Sequence, residues 1–426
     1  MKILILSRTP WTKETSFGNT YSNFFEGMNN IEIANIYCGY GMPNTSLPNR
    51  YFNINERSIL RSIFTKTVSG SEIFINRNEL QIAQIEVTKM ISKAKNHKWR
   101  LIYWLRALIW KTGLWKSEAL YKFLDDFQAD VIFSPFYYSN YMNDIKIHLA
   151  KYLGIPVVSY VSDDIFSMKQ YSINPFFWIE RLINRQKIKK SAKINEFLYV
   201  ISKPLKIEYT KSLHKDCRIL RKGINIQDLS NQLVNQVINK PIRFVYTGNL
   251  CSGRWRTLGL VAKAIKHFNI IEDSFALDIY TSTYISKKIK KLIVIHQNIV
   301  IHDSVPFEKL SDIFDKSDFL LHCESFKLKD KGSVRLSFST KIVDYLASNK
   351  PILAVGPSDL ASIKYIEEQK IGIIANKHNI LNVLENISKN KYDISEYIIN
   401  AKDTILKNHD ITKIQDMLYS DLKEII

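Results

Sequence analysis

The sequence predicts an α/β protein built as two doubly wound halves facing across a cleft. Three observations carry this. Short apolar runs recur along the chain: "KILIL", "IEIANIYC", "DVIFSP", "IPVVSYVS" and "FLYVIS", then "IRFVYTGNL", "FALDIYTS", "NIVIHDSV", "DFLLHC", "PILAVG" and "IGIIAN". Most are continuous rather than alternating, as strands covered on both faces require. Helical patterns such as "WKSEALYKFLDDF", "NDIKIHLAKYLG" and "RTLGLVAKAIKHF" separate many of them, which is the strand–helix–strand rhythm of a parallel sheet. The rhythm breaks at "NIQDLSNQLVNQVINKP", a stretch rich in Asn and Gln. The expected organisation is a domain over 1–225, a linker over 226–241, a second domain over 242–408 and a terminal helix over 409–426. That helix is expected to cross back to the first domain.

Length and composition agree with two cores. A chain of 426 residues exceeds one ordinary domain, and 46% apolar with 24% charged residues is a globular balance. No apolar run approaches the roughly 18 residues that a spanning helix needs. "MKILILSR" is too short for a signal peptide and suits a first buried strand. These features lead to the expectation of a cytoplasmic protein. The four cysteines, Cys38, Cys217, Cys251 and Cys323, are scattered without a Cys-x-x-Cys pair, so they read as free thiols and no metal is expected. The formal net charge of +19 fits a polyanionic partner: nucleic acid, an anionic membrane or a phosphorylated substrate. Charge alone does not choose among them.

Ligands of open α/β sheets bind beyond the carboxyl ends of strands, so candidate residues are those that follow strands. After the first strand, Ser16, Gly18 and Asn19 lie in a small-residue loop opening into a helix, either a plain turn or a ligand loop. "IPVVSYVSDD" ends in Asp163 and Asp164, a pair that could read sugar hydroxyls, act as base, hold a metal or cap the next segment. "FVYTGNLCSGRWR" brings Gly248 and then Arg254, whose guanidinium suits a phosphate if it is not merely solvated. After "DFLLHC" come about fifteen residues before the next helix, carrying Glu324, Lys327, Lys329, Lys331 and Arg335, and a loop of that length points to function. "STKIVDYLASN" then starts a helix. Ser339 and Thr340 are candidate N-caps, Lys341 adds a cation, Asp344 lies on nearly the same face, and Asn349 suits a left-handed C-cap. This is either a phosphate site with a ribose-reading carboxylate or an ordinary capped helix.

These residues resemble the GT-B glycosyltransferases, nearest the retaining family-4 group. "FVYTGNL" followed by Arg254 resembles that family's strand–Gly–Arg-Leu loop, with Asn249 at the Arg position and Arg254 at the position of a following Lys. "SVPFEKLSDIFDKSDFLLHCES" resembles the segment leading to the nucleotide site. "STKIVDYLASNKPILAVG" resembles the donor helix, with Asp344 at the ribose-binding acidic position. "LRKGIN" resembles the turn ending the N-terminal domain, and "SYVSDD" lies where many relatives carry a His-Asp pair. The resemblance implies two Rossmann-like domains, the first on the acceptor side and the second binding the donor. It implies transfer of a sugar from a nucleoside-diphosphate sugar, which is substrate rather than cofactor, without a metal. Its donor nucleotide would meet Gly248, Arg254, Ser339, Thr340, Lys341 and Asp344. The catalytic set would be Asp163, Asp164, Arg254 and Lys341, with Arg254 and Lys341 countering charge on the leaving diphosphate. The family's first glutamate falls on Leu336, so Glu324 is a candidate substitute in contact with the donor sugar. Donor identity and stereochemical outcome stay open at this point.

One segment lies outside this pattern. From Val87 to Ser117 there are eight Lys or Arg, no acid, and four of the seven tryptophans. Either it packs on the core with solvated charges, or it docks on anionic lipid through Trp99, Arg100, Trp110 and Lys111. "ERLINRQKIKKSAK" would extend such a patch. Docking suits a lipid-linked or oligosaccharide acceptor in capsule or O-antigen synthesis, with the protein peripheral on the inner face of the plasma membrane. No nucleic-acid partner is expected. A nucleic-acid-binding protein, a sugar-nucleotide epimerase of the same fold and an inactive scaffold are the alternatives.

Overall fold

A computed structural model describes the chain apart from residues 14, 46, 66, 75–99 and 230–239, and describes the backbone alone for 100–105, 228 and 307. The first half contains β1 (Lys2–Ser7), β2 (Glu32–Tyr37), β3 (Arg50–Asn53), β4 (Ser71–Ile73), β5 (Val131–Pro135), β6 (Val157–Val161), β7 (Asn195–Val200) and β8 (Cys217–Ile219). They pair in the order β4-β3-β2-β1-β5-β6-β7-β8. All neighbours are parallel except β3 and β4. The second half contains β9 (Ile242–Thr247), β10 (Phe275–Thr281), β11 (Ile299–Asp303), β12 (Phe319–Cys323), β13 (Ile352–Val355) and β14 (Gly372–Ala375). Their order is β11-β10-β9-β12-β13-β14, parallel throughout.

The continuous apolar runs explain the layering. Ile3, Leu4 and Ile5 point alternately to opposite faces of β1, yet all are fully buried, because the sheet is covered on both sides. Each sheet reverses its winding at one place: β1 lies between β2 and β5, and β9 lies between β10 and β12. Connections leave such a point toward opposite faces and open a crevice at the carboxyl ends. The loops after β1, β9 and β12 therefore sit where a ligand would enter.

The two halves are tied together. One apolar cluster runs from Ile3 and Phe133 of the first sheet to Leu320 and Ile352 of the second. The helix Ile411–Lys423 lies against Ser16–Phe25 of the first half. Gln415 donates to the Glu26 carbonyl at 2.8 Å, and Asp421 accepts from the Tyr199 hydroxyl at 2.6 Å. The terminal helix thus returns to the first half.

Two expectations change. Trp110 does not face a membrane. It is 3% exposed, stacks on Tyr141 with ring centroids 4.5 Å apart, and donates its indole N–H to Glu56 at 2.8 Å. Trp115 is buried as well. The buried Glu56 carboxylate, which also pairs with Arg106, turns this side of the helix Arg100–Lys111 inward. Lys111 is exposed, Trp99 lies outside the described residues, and the side chain of Arg100 is likewise outside them. The second change concerns the basic stretch after β12, which contains a short helix, Leu328–Val334. Gly332 lets it approach the other half: a Cβ there would lie 3.1 Å from the Lys169 carbonyl oxygen. Among the described residues no helix is long and apolar enough to cross a membrane.

Candidate functional site

Between the halves lies a cleft of about 770 Å³, lined from both sheets. Its first wall comes from the segment after β1. Thr15 caps the helix Ser16–Phe25 by accepting from the Gly18 N–H at 3.0 Å. Ser16 and Asn19 line the cleft, whereas Gly18 does not. A Cβ on Gly18 would stand 2.0 Å from the Thr12 carbonyl oxygen, so its smallness serves loop packing rather than ligand approach.

The aspartate pair divides. Asp163 is exposed, lines the cleft and accepts from the Ser337 hydroxyl at 2.7 Å. Asp164 faces away from the cleft and is 2% exposed. It receives Arg335 at 2.8 and 3.0 Å, lies 3.9 Å from the buried Arg181, and accepts the Ser167 N–H at 2.9 Å. That carboxylate, held by two guanidinium groups of which Arg335 belongs to the second half, joins the halves and does not line the cleft.

The second wall is cationic. Gly248, with φ of +130°, follows β9, and its missing side chain is the room in which Lys341 lies: a Cβ there would be 1.2 Å from the Lys341 Nζ. That ammonium stands 5.4 Å from the Tyr246 ring centroid and makes no ion pair or hydrogen bond among the described residues. Burial, and next the charge of Arg254, lower its pKa to about 8, while Glu324 and Asp344 oppose the shift. Arg254 forms a fork with Glu324, 3.2 Å from Nε to Oε2 and 3.0 Å from Nη2 to Oε1, and donates to Asn249 Oδ1 at 3.1 Å. Both Glu324 oxygens are thus engaged, and burial still pushes that carboxyl upward. Leu336, at the position where the resemblance anticipates a glutamate, is 5% exposed in the apolar cluster joining the halves.

Asp344 carries its own counterion. Lys222, from the last turn of the first half, reaches it at 2.5 Å across the domain boundary. Burial raises the Asp344 carboxyl and Lys222 lowers it. The two acids thus meet Arg254 and Lys222, which leaves Lys341 as a cation without an acidic partner among the described residues. Ser339 and Thr340 line the cleft but do not cap the helix Lys341–Ala347 with their side chains. The Ser339 N–H goes to Ser362 Oγ at 3.0 Å, and Thr340 begins the turn already in helical geometry, so its hydroxyl does not reach back. Asn349 does take the left-handed conformation, with φ of 54°.

Lys222 and His322 are site residues that sequence reasoning missed. His322 lines the cleft beside Glu324, 3.6 Å from its Oε1, and its Nε2 has no hydrogen-bond partner. Burial, with Arg254 and Lys341 nearby, lowers its pKa to about 3, so it is uncharged at neutral pH. The only signal for it was one polar residue in the otherwise apolar run "FLLHC". Lys222 carried none, because its partner is 122 residues away. A side pocket of about 160 Å³ opens beyond Gly248, lined by Tyr280, Ser282, Ser304 and Phe314, and shares Lys341 and Asp344 with the main cleft.

No protein-family model and no curated protein matches the chain by sequence. Solved structures do match it along its whole length. Anabaena Alr3699/HepE in complex with UDP aligns over 100% of both chains at 9% identity and a TM-score of 0.64. Sucrose-phosphate synthase from Thermosynechococcus elongatus aligns over 100% of this chain and 98% of its own at 10% identity, also at 0.64. An E. coli trehalose-6-phosphate structure bound with UDP-2-fluoro glucose aligns over 100% of both chains at 11% identity and 0.60. The fold is GT-B. In this GT-B chain the cleft between the two sheets holds Asp163, Glu324, Arg254, Lys341 and Asp344 together. Asp164 and Gly18 stay outside it.

Proposed function

We propose that this GT-B protein transfers a sugar from a nucleoside-diphosphate sugar to a glycan acceptor, lipid-linked at the cytoplasmic membrane face, as in capsule or O-antigen assembly. The observation that carries the reading is Lys341: an ammonium without an acidic partner among the described residues, held over Gly248 at a topological switch point, beside Arg254. Anions are what such a place attracts. The neighbouring folds solved with UDP and a UDP-sugar analogue support the same donor class.

In this reading the diphosphate lies between Lys341, Arg254 and the N–H groups of Thr340 and Lys341. The ribose meets Asp344, and the base enters the side pocket lined by Tyr280 and Ser282. The sugar C1–O bond breaks with its electron pair passing to the β-phosphate oxygen. Negative charge grows there, and cations already in position lower the barrier without reorganising. The acceptor oxygen approaches from the first wall, where Asp163 is the aspartate of the pair that the cleft presents, and forms the new bond to C1 as its proton passes to Asp163 or to the departing diphosphate. Glu324 acts through Arg254, fixing its plane, with Asn249 propping the third nitrogen.

Calorimetry with a panel of nucleoside diphosphates tests the reading, and absence of binding by any of them sinks it. The pH dependence supplies a second test. A bound diphosphate keeps the Lys341 proton on. Affinity is therefore level below about pH 8 and falls as pH rises through it, by up to about tenfold per unit. Stability moves the other way. Between about 8 and the ordinary lysine value of 10.5 the unfolded chain binds the extra proton, so losing that proton favours the folded state and stability rises across this window. A flat affinity profile from pH 7 to 9.5 would remove Lys341 from the anion site.

A further inference from the structure

We infer that the loop and helix after β6, Met168–Lys193, form a docking surface for an anionic bilayer. The inference deepens the lipid-linked reading and rests on it for its purpose, though the surface stands on its own chemistry. Residue exposure is the first observation. Ile173, Phe176, Ile179, Leu182 and Ile183 are between 45% and 88% exposed. They are neighbours along one stretch, whereas single exposed apolar residues elsewhere need no explanation.

Periodicity is the second. The helix Pro175–Lys193 turns Arg181, Asn184, Ile188, Ser191 and Ala192 inward. Its outer stripe runs through Phe176, Ile179 and Leu182/Ile183, then Gln186, then Lys189/Lys190 and Lys193, at steps of three and four. Such residues stack on one face of a helix. The stripe is apolar at its N-terminal end and basic at its C-terminal end. The acid on this helix is Glu180, and Lys187 is already paired with Asp144. A protein partner or a second copy would need acids opposite the three lysines. The protein's net charge of +19 disfavours self-association. An anionic bilayer meets both ends at once: acyl chains take the apolar end, and headgroups take the lysines.

Position is the third. The loop into the patch starts at Asp163, which lines the cleft. Leu328 of the second half, 71% exposed, stands one turn before Gly332, whose backbone meets Lys169–Tyr171. Both halves thus contribute at one lip of the cleft. A substrate whose lipid lies in the bilayer would present its headgroup there.

The test is co-sedimentation with vesicles of phosphatidylcholine alone and of equimolar phosphatidylcholine and phosphatidylglycerol. The wild-type chain partitions onto the anionic vesicles and not the neutral ones, and less so at high salt. Phe176→Ser with Ile179→Ser, and separately Lys189→Glu with Lys190→Glu and Lys193→Glu, each lower that partition by roughly tenfold or more. Both variants keep the thermal midpoint and nucleotide affinity of the wild type, since neither touches the cleft. Wild-type partition by either variant, or equal binding to neutral vesicles, overturns the inference. So does a lipid-free dimer that Phe176→Ser dissociates, measured by sedimentation equilibrium. Nucleotide binding without vesicle binding defeats the docking surface alone, and vesicle binding without nucleotide binding defeats the transferase reading alone.

Discussion

Replacing Lys341 with alanine lowers nucleoside-diphosphate affinity and sugar transfer by about two to three orders of magnitude, the scale for losing one preorganised group at a developing oxyanion. The size follows from the charge balance. Arg254 is forked to Glu324 and Lys222 to Asp344, so the net positive charge offered to an anion is largely that of Lys341. Folding is little affected, because burial and Arg254 already disfavour its charge and among the described residues it has no acidic partner to abandon. Lys341→Arg keeps the charge but does not restore affinity. The ammonium sits where a glycine Cβ would be, and a planar guanidinium does not fit that slot. Calorimetry with UDP and turnover of a UDP-sugar panel measure both. Unchanged affinity in Lys341→Ala would be fatal to the proposed diphosphate site.

The second large effect separates two adjacent aspartates. Asp164→Asn destabilises the fold by about 3 kcal/mol, because it leaves the buried Arg181 without its carboxylate, while Arg335 keeps its second partner, Glu208. Asp163→Asn changes stability by about 0.5 kcal/mol or less, since its side chain is exposed and loses little beyond the Ser337 contact. Transfer responds in the opposite order. At a temperature where both variants are folded, Asp163→Asn is the poorer catalyst and Asp164→Asn retains nucleotide affinity. Chemical denaturation and initial rates give the two readings. An Asp164→Asn chain as stable as the wild type overturns the joint, and an Asp163→Asn chain with full transfer removes it as the acceptor-side carboxylate.

These experiments divide along the line between local and long-range information. The places of Lys341, Gly248 and Arg254 at strand ends and helix starts were legible, because a strand end, a glycine and a cation at a helix start are local patterns, each set by backbone geometry within a few residues. Trp110 was misread for the complementary reason. Its Lys- and Trp-rich neighbourhood suits a lipid interface, but Glu56, 54 residues earlier, supplies a buried acceptor for its indole. The capping role expected of Ser339 and Thr340 failed because Thr340 is already helical and the first-turn N–H groups of Ile342 and Val343 go to the Ser339 and Thr340 carbonyls.

The sequence by itself determined the α/β class, the strands and the candidates at strand ends, since continuous apolar runs and helical spacing depend on neighbours along the chain. Only the tertiary structure decided which candidates share the cleft. It placed Lys222 on Asp344, put Arg335 on Asp164, left Leu336 in the core, and turned Phe176 and Ile179 outward. Pairing partners more than a hundred residues apart leave no periodicity in the chain, and a charge is neutralised or free only by what packs against it.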